Sequence, residues 1–205
     1  MRTIKKVASH IFIDGFGGMT QGLFATLIIG TMIQQIGLLI GSSTGNVIYL
    51  LGKAAAALTS AGIGVGVAVK YGESPLVTVS AAVAAMVGGY AGKITGGTFF
   101  VDGNAVLAGP GEPLGAFIAA FAGITCGHLV SGKTKVDIIV TPVITIGAGS
   151  VVGLLVGPPI SQMMTGLGSI INWATEQRPF IMGIVVSVVM GMVLTLPISS
   201  AALGI

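Results

Sequence analysis

Charged residues are scarce in this sequence. Nine residues are Lys or Arg and six are Asp or Glu, which together make 7% of the 205 residues, whereas a soluble domain carries about 25%. The hydrophobic fraction is 53% and the mean hydropathy is +1.02. The shortage of charge excludes an ordinary soluble domain and predicts an all-α, polytopic membrane protein.

Several chemical motifs are also missing. Cys126 is the one cysteine and lies in an apolar run, which excludes a disulfide within the chain. His10 and His128 are far apart, and no His/Cys/Asp group has the spacing of metal ligands. No GxxxxGK[ST] run is present, and the basic residues form no stripe. We therefore expect no metal, no cofactor, no bound nucleic acid and no bond chemistry in this chain.

What the sequence does contain is a series of apolar runs between short polar loops. At about 20 residues for each crossing, they predict about six transmembrane helices in a single membrane domain, residues 1–205. Residues 1–21 predict a basic interfacial lead-in. Pro158 and Pro159 are expected to end the fifth span, and residues 160–179 to form an interfacial segment. The six predicted spans are residues 22–40, 46–69, 76–91, 114–130, 136–156 and 180–196.

The distribution of positive charge predicts the orientation. Short loops rich in Lys and Arg stay in the cytoplasm, which favours a cytoplasmic N-terminus. In that orientation Lys53, Lys93 and Arg178 lie toward the outside. The residues on the inside are Arg2, Lys5, Lys6, Lys70, Lys133 and Lys135.

The most informative stretch is residues 109–115, Gly-Pro-Gly-Glu-Pro-Leu-Gly. Glycine and proline break a helix, and Glu112 is a carboxylate directly before the apolar residues 116–130. Transporters build polar sites at membrane depth from broken helices of this kind. The apolar segment before it is too short to cross a bilayer, which predicts a re-entrant segment near residues 98–113. The alternative is an ordinary polar loop between two spans.

Polar residues in apolar surroundings are the candidates for a binding site. Each can donate to or accept from a hydroxyl, and a polyol needs several such groups in one cavity. Asp102 could instead pair with Lys93. His128 is either an interfacial packing residue or a hydrogen-bond donor to a substrate or phosphate. The predicted substrate-binding residues are Glu112, Asn104, Asp102, His128, Asn172 and Thr175.

Residues 103–115, 130–137 and 195–203 resemble the membrane subunit, enzyme IIC, of bacterial phosphotransferase-system permeases, in a compact branch of that superfamily. The resemblance implies that Glu112 is the sugar-binding carboxylate at the tip of a re-entrant hairpin. It also implies a homodimer in the lipid of the bacterial cytoplasmic membrane. Sugar import would be coupled to phosphorylation by a phosphorylated IIB partner, fed through IIA from the phosphocarrier HPr.

The chain departs from this family in length. Enzyme IIC is usually longer and has more spans, so the sequence is either a fragment of a longer permease or a member of a short branch. Two other functions stay open. In a secondary transporter or channel for another small solute, Glu112 would be a proton or ion site. In a membrane scaffold that transports nothing, the 34 glycines would serve helix packing alone.

Overall fold

The computed structural model describes residues 14–101, 103–107, 109–176 and 179–195. Nearly all of them are helical, which confirms the all-α prediction. A turn of π-helix, Phe24–Ile28, joins α1 to α2, and a short antiparallel hairpin follows α6. The elements are α1 Phe16–Leu23, α2 Ile29–Ile40, α3 Ser43–Ala57, α4 Thr59–Lys70, α5 Pro75–Gly89, α6 Ala91–Thr95, β1 Phe100–Val101, β2 Asn104–Ala105, α7 Pro113–Val130, α8 Asp137–Thr175 and α9 Pro179–Thr195.

Capping residues set several helix ends. The Ser42 hydroxyl accepts a hydrogen bond from the N–H of Gly45 before α3, and the Ser74 hydroxyl accepts one from Val77 before α5. Serine at this position satisfies an N–H group that has no partner within the helix. Gly41 ends α2 with a positive φ of 60°, the left-handed conformation that glycine adopts most easily.

The described residues contain three helical segments long and apolar enough to cross a membrane: Phe16–Ile40, Pro113–Val130 and Asp137–Thr175. Helices α3 and α4 make a fourth if they count as one span bent by 52°. Helix α5 has 15 residues, about 22 Å at 1.5 Å per residue, and is short of the roughly 30 Å hydrocarbon core. The predicted count of six spans is therefore not confirmed.

Helix α8 corrects one prediction. We expected Pro158 and Pro159 to end the fifth span and residues 160–179 to form a separate interfacial segment, but α8 continues through both prolines to Thr175. Two prolines remove two backbone donors, at a cost of roughly 3 kcal/mol each. Close packing of Gly153 and Gly157 against α5 and α6 and burial of Ile160 offset that cost.

The start of the chain is described only in part. Of the predicted lead-in, residues 1–13 lie outside the described residues, and residues 16–21 belong to α1. Helix α1 continues through the π-helical turn into the first candidate span. The helix of the first span thus begins six residues earlier than expected.

Helix α5 lies at the centre of the packed helices, against α4, α7 and α8. Glycine permits the closest approach: a Cβ on Gly115 of α7 would lie 2.7 Å from the carbonyl oxygen of Gly88 on α5, so any side chain there would force the two helices apart. Small residues of this kind are typical of membrane helix contacts. The larger core side chains come from α1, α4, α5 and α7 and are Met19, Ile63, Val67, Val77, Phe117 and Ile124.

The outer surface is also apolar. Leu39 is 86% exposed, and Phe180 and Leu155 are exposed by more than two thirds. A soluble monomer rarely exposes a continuous apolar surface of this extent. The exposed side chains suit contact with lipid, in agreement with the composition.

Candidate functional site

The turn before α7 returns to the C-terminal end of α5. The backbone N–H of Glu112 donates to the carbonyl oxygen of Gly89 over 2.6 Å. Glu112 occupies the N-cap position of α7 in extended backbone, and Pro113 is the first helical residue, where a missing N–H costs little. Gly111 has a positive φ of 74°, which favours glycine. The sequence Gly-Pro-Gly-Glu-Pro therefore forms a tight turn that holds Glu112 against α5.

Two buried hydroxyls hold this turn from neighbouring helices. Ser60, at the start of α4, is 0% exposed and donates to the carbonyl oxygen of Pro110 over 3.0 Å. Tyr90, between α5 and α6, is 1% exposed and donates to the carbonyl oxygen of Gly109 over 2.5 Å. Its hydroxyl also lies 3.3 Å from the carbonyl oxygen of Ala57, where α3 ends. Ser60 and Tyr90 thus position the turn and, through it, Glu112.

Gly111 has no room for a side chain. A Cβ there would lie 2.5 Å from the Ser60 hydroxyl and 3.1 Å from the carbonyl oxygen of Gly89. Because the φ at this position also disfavours other residues, two independent constraints select glycine. The approach of this turn to α4 and α5 depends on both.

One oxygen of the Glu112 carboxyl group has no hydrogen-bond partner among the described residues. Glu112 is partly buried, and its Oε1 is fully buried and makes no hydrogen bond with any residue that the structure describes. Leaving a buried acceptor unpaired costs about 1–3 kcal/mol. Such an oxygen can accept a hydrogen bond from a hydroxyl that enters the site, or it can take up a proton.

The position of the Glu112 turn can be described along the axis of α8. Gly153 and Gly157 pack against Gly88 at the end of α5, and Gly89 accepts the hydrogen bond from Glu112. This level divides α8 into 16 residues before it and 18 after it. Glu112 therefore lies near the midpoint of the longest helix.

Asn104 lies in strand β2, is exposed, and pairs with Val101 in the short hairpin. Asp102, with its predicted role in binding and its predicted pairing with Lys93, lies outside the described residues. Lys93 itself lies over the ring of Tyr90, 5.4 Å from the centroid. The hairpin and the Glu112 turn belong to the same connection between α6 and α7.

His128 lies at the opposite end of α7 from Glu112. Sixteen residues separate them, about 24 Å along a helix, so one sugar ring cannot contact both side chains. The Nδ1 atom of His128 lies 3.0 Å and 3.2 Å from the two carboxylate oxygens of Glu73. Glu73 is nearly buried while His128 is 71% exposed. The carboxylate therefore orients an imidazole whose other nitrogen can contact solvent or a partner.

Asn172 and Thr175 lie at the C-terminal end of α8. Both are exposed, and the Thr175 hydroxyl donates to the carbonyl oxygen of Asn172 over 2.7 Å. They follow Gly157 by 15 and 18 residues, at least about 22 Å along the helix. The structure therefore does not bring them together with Glu112.

Sequence reasoning missed Ser60 and Tyr90. A weak signal existed for Tyr90, because a polar aromatic residue directly after two glycines in an apolar segment needs a hydrogen-bond partner when buried. No comparable signal marks Ser60. Among the described residues, no group of three or more His, Cys, Asp or Glu side chains could hold a metal ion.

Comparison with models of protein families identifies the family of this chain. The family model described as "Phosphotransferase system, EIIC" matches residues 13–205. No curated protein matches the chain, and no solved structure matches it. Because the family model covers nearly the entire sequence, including the Glu112 turn and both anchoring hydroxyls, the chain belongs to the phosphotransferase system EIIC family and is a permease subunit of that system.

Proposed function

We propose that this permease subunit carries a sugar through the membrane and that Glu112 accepts hydrogen bonds from the hydroxyls of that sugar. The observation that supports this most directly is the buried Oε1 of Glu112, which has no partner among the described residues. A sugar hydroxyl would supply the missing donor, and a buried polar group is stabilised when its partner arrives. Asn104, and Asp102 outside the described residues, would add contacts from the same connection.

The position of the turn supports a site below the headgroups. Helix α5 has 15 residues and α7 has 18, so they are about 22 Å and 27 Å long. The C-terminal end of α5 and the N-terminal end of α7 both lie beside the midpoint of α8. We propose that they carry a re-entrant turn whose tip is Glu112. Non-helical backbone is tolerated at that depth when protein surrounds it, and Ser60, Tyr90 and Gly89 supply its hydrogen bonds.

The partners follow from the family. We propose that a phosphorylated IIB protein, supplied through IIA, transfers its phosphoryl group to the sugar hydroxyl, while this chain performs no bond chemistry. We further propose a homodimer in the bacterial cytoplasmic membrane with a cytoplasmic N-terminus. His128, Asn172 and Thr175 would then contact the solute only where it enters or leaves, since they lie far along α7 and α8 from Glu112.

Uptake of labelled sugars tests the assignment of Glu112. With phosphoenolpyruvate and the cytosolic phosphotransfer proteins present, we expect Glu112→Gln to abolish uptake while the protein still inserts at the wild-type level. Glu176→Gln is the matched control, because Glu176 is an exposed carboxylate just after α8 and should be dispensable. Normal uptake by the Glu112→Gln protein would remove Glu112 from the site.

A second function fits the same buried oxygen. In a proton- or ion-coupled secondary transporter, Glu112 would bind the coupling ion instead of a sugar hydroxyl. A flux that depends on pH or Na⁺ and needs no phosphoenolpyruvate would favour this function. A loss of flux when phosphoenolpyruvate is withheld would favour sugar phosphotransfer.

A further inference from the structure

A cavity lined in part by polar side chains lies between α6 and the C-terminal half of α8. Its volume is about 440 Å³, within the range of small-molecule sites. Glu112 is not among the described residues that line it, and none of those residues carries a charge. The lining residues are Gly92, Thr95, Gly96, Pro158, Ser161, Gln162 and Thr165.

Two of the lining side chains have unused hydrogen-bonding capacity. No hydrogen bond joins the Ser161 hydroxyl or the Gln162 amide to any part of the chain that the structure describes. Thr95 and Thr165, by contrast, donate to backbone carbonyl oxygens of their own helices over 2.9 Å. The amide alone offers two donors and one acceptor oxygen.

Pro158 lines the cavity and changes the backbone hydrogen bonding one helical turn before it. Proline has no N–H, so the carbonyl oxygen of Leu154 lacks the donor that a helix normally provides four residues later. Free carbonyl oxygens in interrupted helices are common at the binding sites of transporters. The unused side-chain donors and acceptors of the lining, those of Ser161 and Gln162, both lie on α8.

The chemistry of this lining selects the class of ligand. An anion would find no positive charge among the described lining residues and could not donate to the Gln162 oxygen. Gln162 is exposed, and an apolar ligand that covered it would remove its amide from water without a partner, at a cost of roughly 1–3 kcal/mol. A neutral molecule with several hydroxyls both donates and accepts. We infer that the cavity between α6 and α8, with Ser161 and Gln162 as its hydrogen-bonding residues, is a second binding site for a neutral polyhydroxyl group.

This inference rests on the proposed sugar transport for the source of the ligand, which would be the transported sugar on its way past the Glu112 turn. The same chemistry occurs in the glycosyl headgroup of a lipid. The two sources differ in one respect that can be measured: a free sugar reaches the site from water, and a headgroup reaches it from the bilayer.

Thiol labelling at the cavity wall provides the test. Thr165→Cys, in a Cys126→Ala background, places a thiol on the wall and leaves Ser161 and Gln162 in place. The full chain in phosphatidylcholine nanodiscs is treated with N-ethylmaleimide, with D-glucose, D-mannitol or N-acetyl-D-glucosamine added separately. We expect one of these to slow labelling about tenfold at roughly nine times its Kd, since binding reduces the free fraction by 1 + [L]/Kd.

Two further variants make the result specific. Adding Gln162→Leu, at an exposed position where an apolar side chain suits the helix, should abolish the protection. Ser169→Cys lies one helical turn beyond Thr165 and outside the cavity lining, and its labelling should not change. Equal protection of both thiols, or no labelling of the Thr165→Cys thiol without ligand, would overturn the inference.

The lipid source is tested with nanodiscs that contain monoglycosyl diacylglycerol. Protection by this lipid but by none of the free sugars would assign the cavity to a lipid headgroup, with its polyhydroxyl chemistry intact. Protection by neither would overturn the inference. The Glu112→Gln uptake experiment tests the proposed function separately. Lost uptake without protection of the thiol would support the proposed function and overturn the second site. Protection of the thiol with normal uptake would support the second site and contradict the role of Glu112.

Discussion

The Ser60 hydroxyl donates to the carbonyl oxygen of Pro110 over 3.0 Å, across 50 residues of sequence. Tyr90 makes the corresponding bond to Gly109 from another element. Both side chains are buried, and neither is charged. The location of the Glu112 carboxyl group therefore depends on two hydroxyls that need not touch a solute themselves.

Removing the Tyr90 hydroxyl should loosen this turn. We expect Tyr90→Phe to lower the free energy of unfolding by about 1 kcal/mol, the net value of one hydrogen bond, and to raise the sugar concentration that gives half-maximal uptake. Unfolding in detergent and an uptake titration measure the two effects. Tyr49→Phe is the control, because the Tyr49 hydroxyl makes no hydrogen bond within the described residues. Equal losses in the two variants would contradict the positioning role.

A side chain at Gly111 should cost more than one at Gly103. Both glycines have positive φ, 74° and 77°, so alanine introduces similar backbone strain of about 1–2 kcal/mol. A Cβ at Gly103 meets nothing within 4 Å, whereas one at Gly111 meets the Ser60 hydroxyl. We expect Gly111→Ala to lose a further 1–3 kcal/mol, roughly the cost of overpacking. Unfolding free energies of the two variants measure the difference, and a Ser60→Gly change should recover part of it.

Proline in the interior of α8 should lower stability. We expect Pro158→Ala to raise the free energy of unfolding by about 1–3 kcal/mol, because a backbone donor to the Leu154 carbonyl is restored. Pro75→Ala is the comparison, since Pro75 is at the first turn of α5, where proline is favourable. Stabilisation of both variants by the same amount would show that the interior position has no special cost.

Alkaline pH should destabilise the protein through Tyr71, which follows α4 outside the candidate spans. Burial, with a smaller contribution from the charge of Asp14, raises the pKa of the Tyr71 phenol from 10.0 to about 12. Between these two values Tyr71 keeps its proton in the folded state, whereas the unfolded chain has lost it. The contribution of Tyr71 to the free energy of unfolding is therefore fully present below pH 10 and is lost as the pH rises toward 12. Tyr71→Phe should remove this part of the decline in unfolding titrations, and identical pH curves for both proteins would contradict it.

The sequence predicted the break at Glu112 because its cause is local. Glycine and proline act on the backbone dihedrals of their own and adjacent residues, so Gly-Pro-Gly-Glu-Pro is a turn in any surroundings. The same local rule failed at Pro158 and Pro159, where packing of α8 against α5 and α6 outweighs two lost hydrogen bonds. Local breakers set a preference that tertiary contacts can override.

The bend between α3 and α4 had no marker in the sequence. Residues 57–59 are Ala-Leu-Thr, without glycine or proline. In the structure the Thr59 hydroxyl donates to the carbonyl oxygen of Ala56 over 2.6 Å, a side-chain bond that often bends helices, and Tyr90 approaches Ala57. Contacts between residues 33 or 50 apart require the fold to be known first, which is why Ser60 and Tyr90 were not among the predicted site residues.

Because α8 is long, its tilt in the membrane should depend on the thickness of the bilayer. Its 39 residues extend about 58 Å, and even at about 40°, the steepest usual tilt, a rod of that length rises roughly 45 Å through a hydrocarbon layer of about 30 Å. One or both of its ends must then stand among the headgroups, and the acidic groups of Asp137 and Glu176 at those ends suit such surroundings. In a thinner or thicker bilayer, α8 would change its tilt. The Glu112 turn, which packs beside the midpoint of α8, would move with the helix.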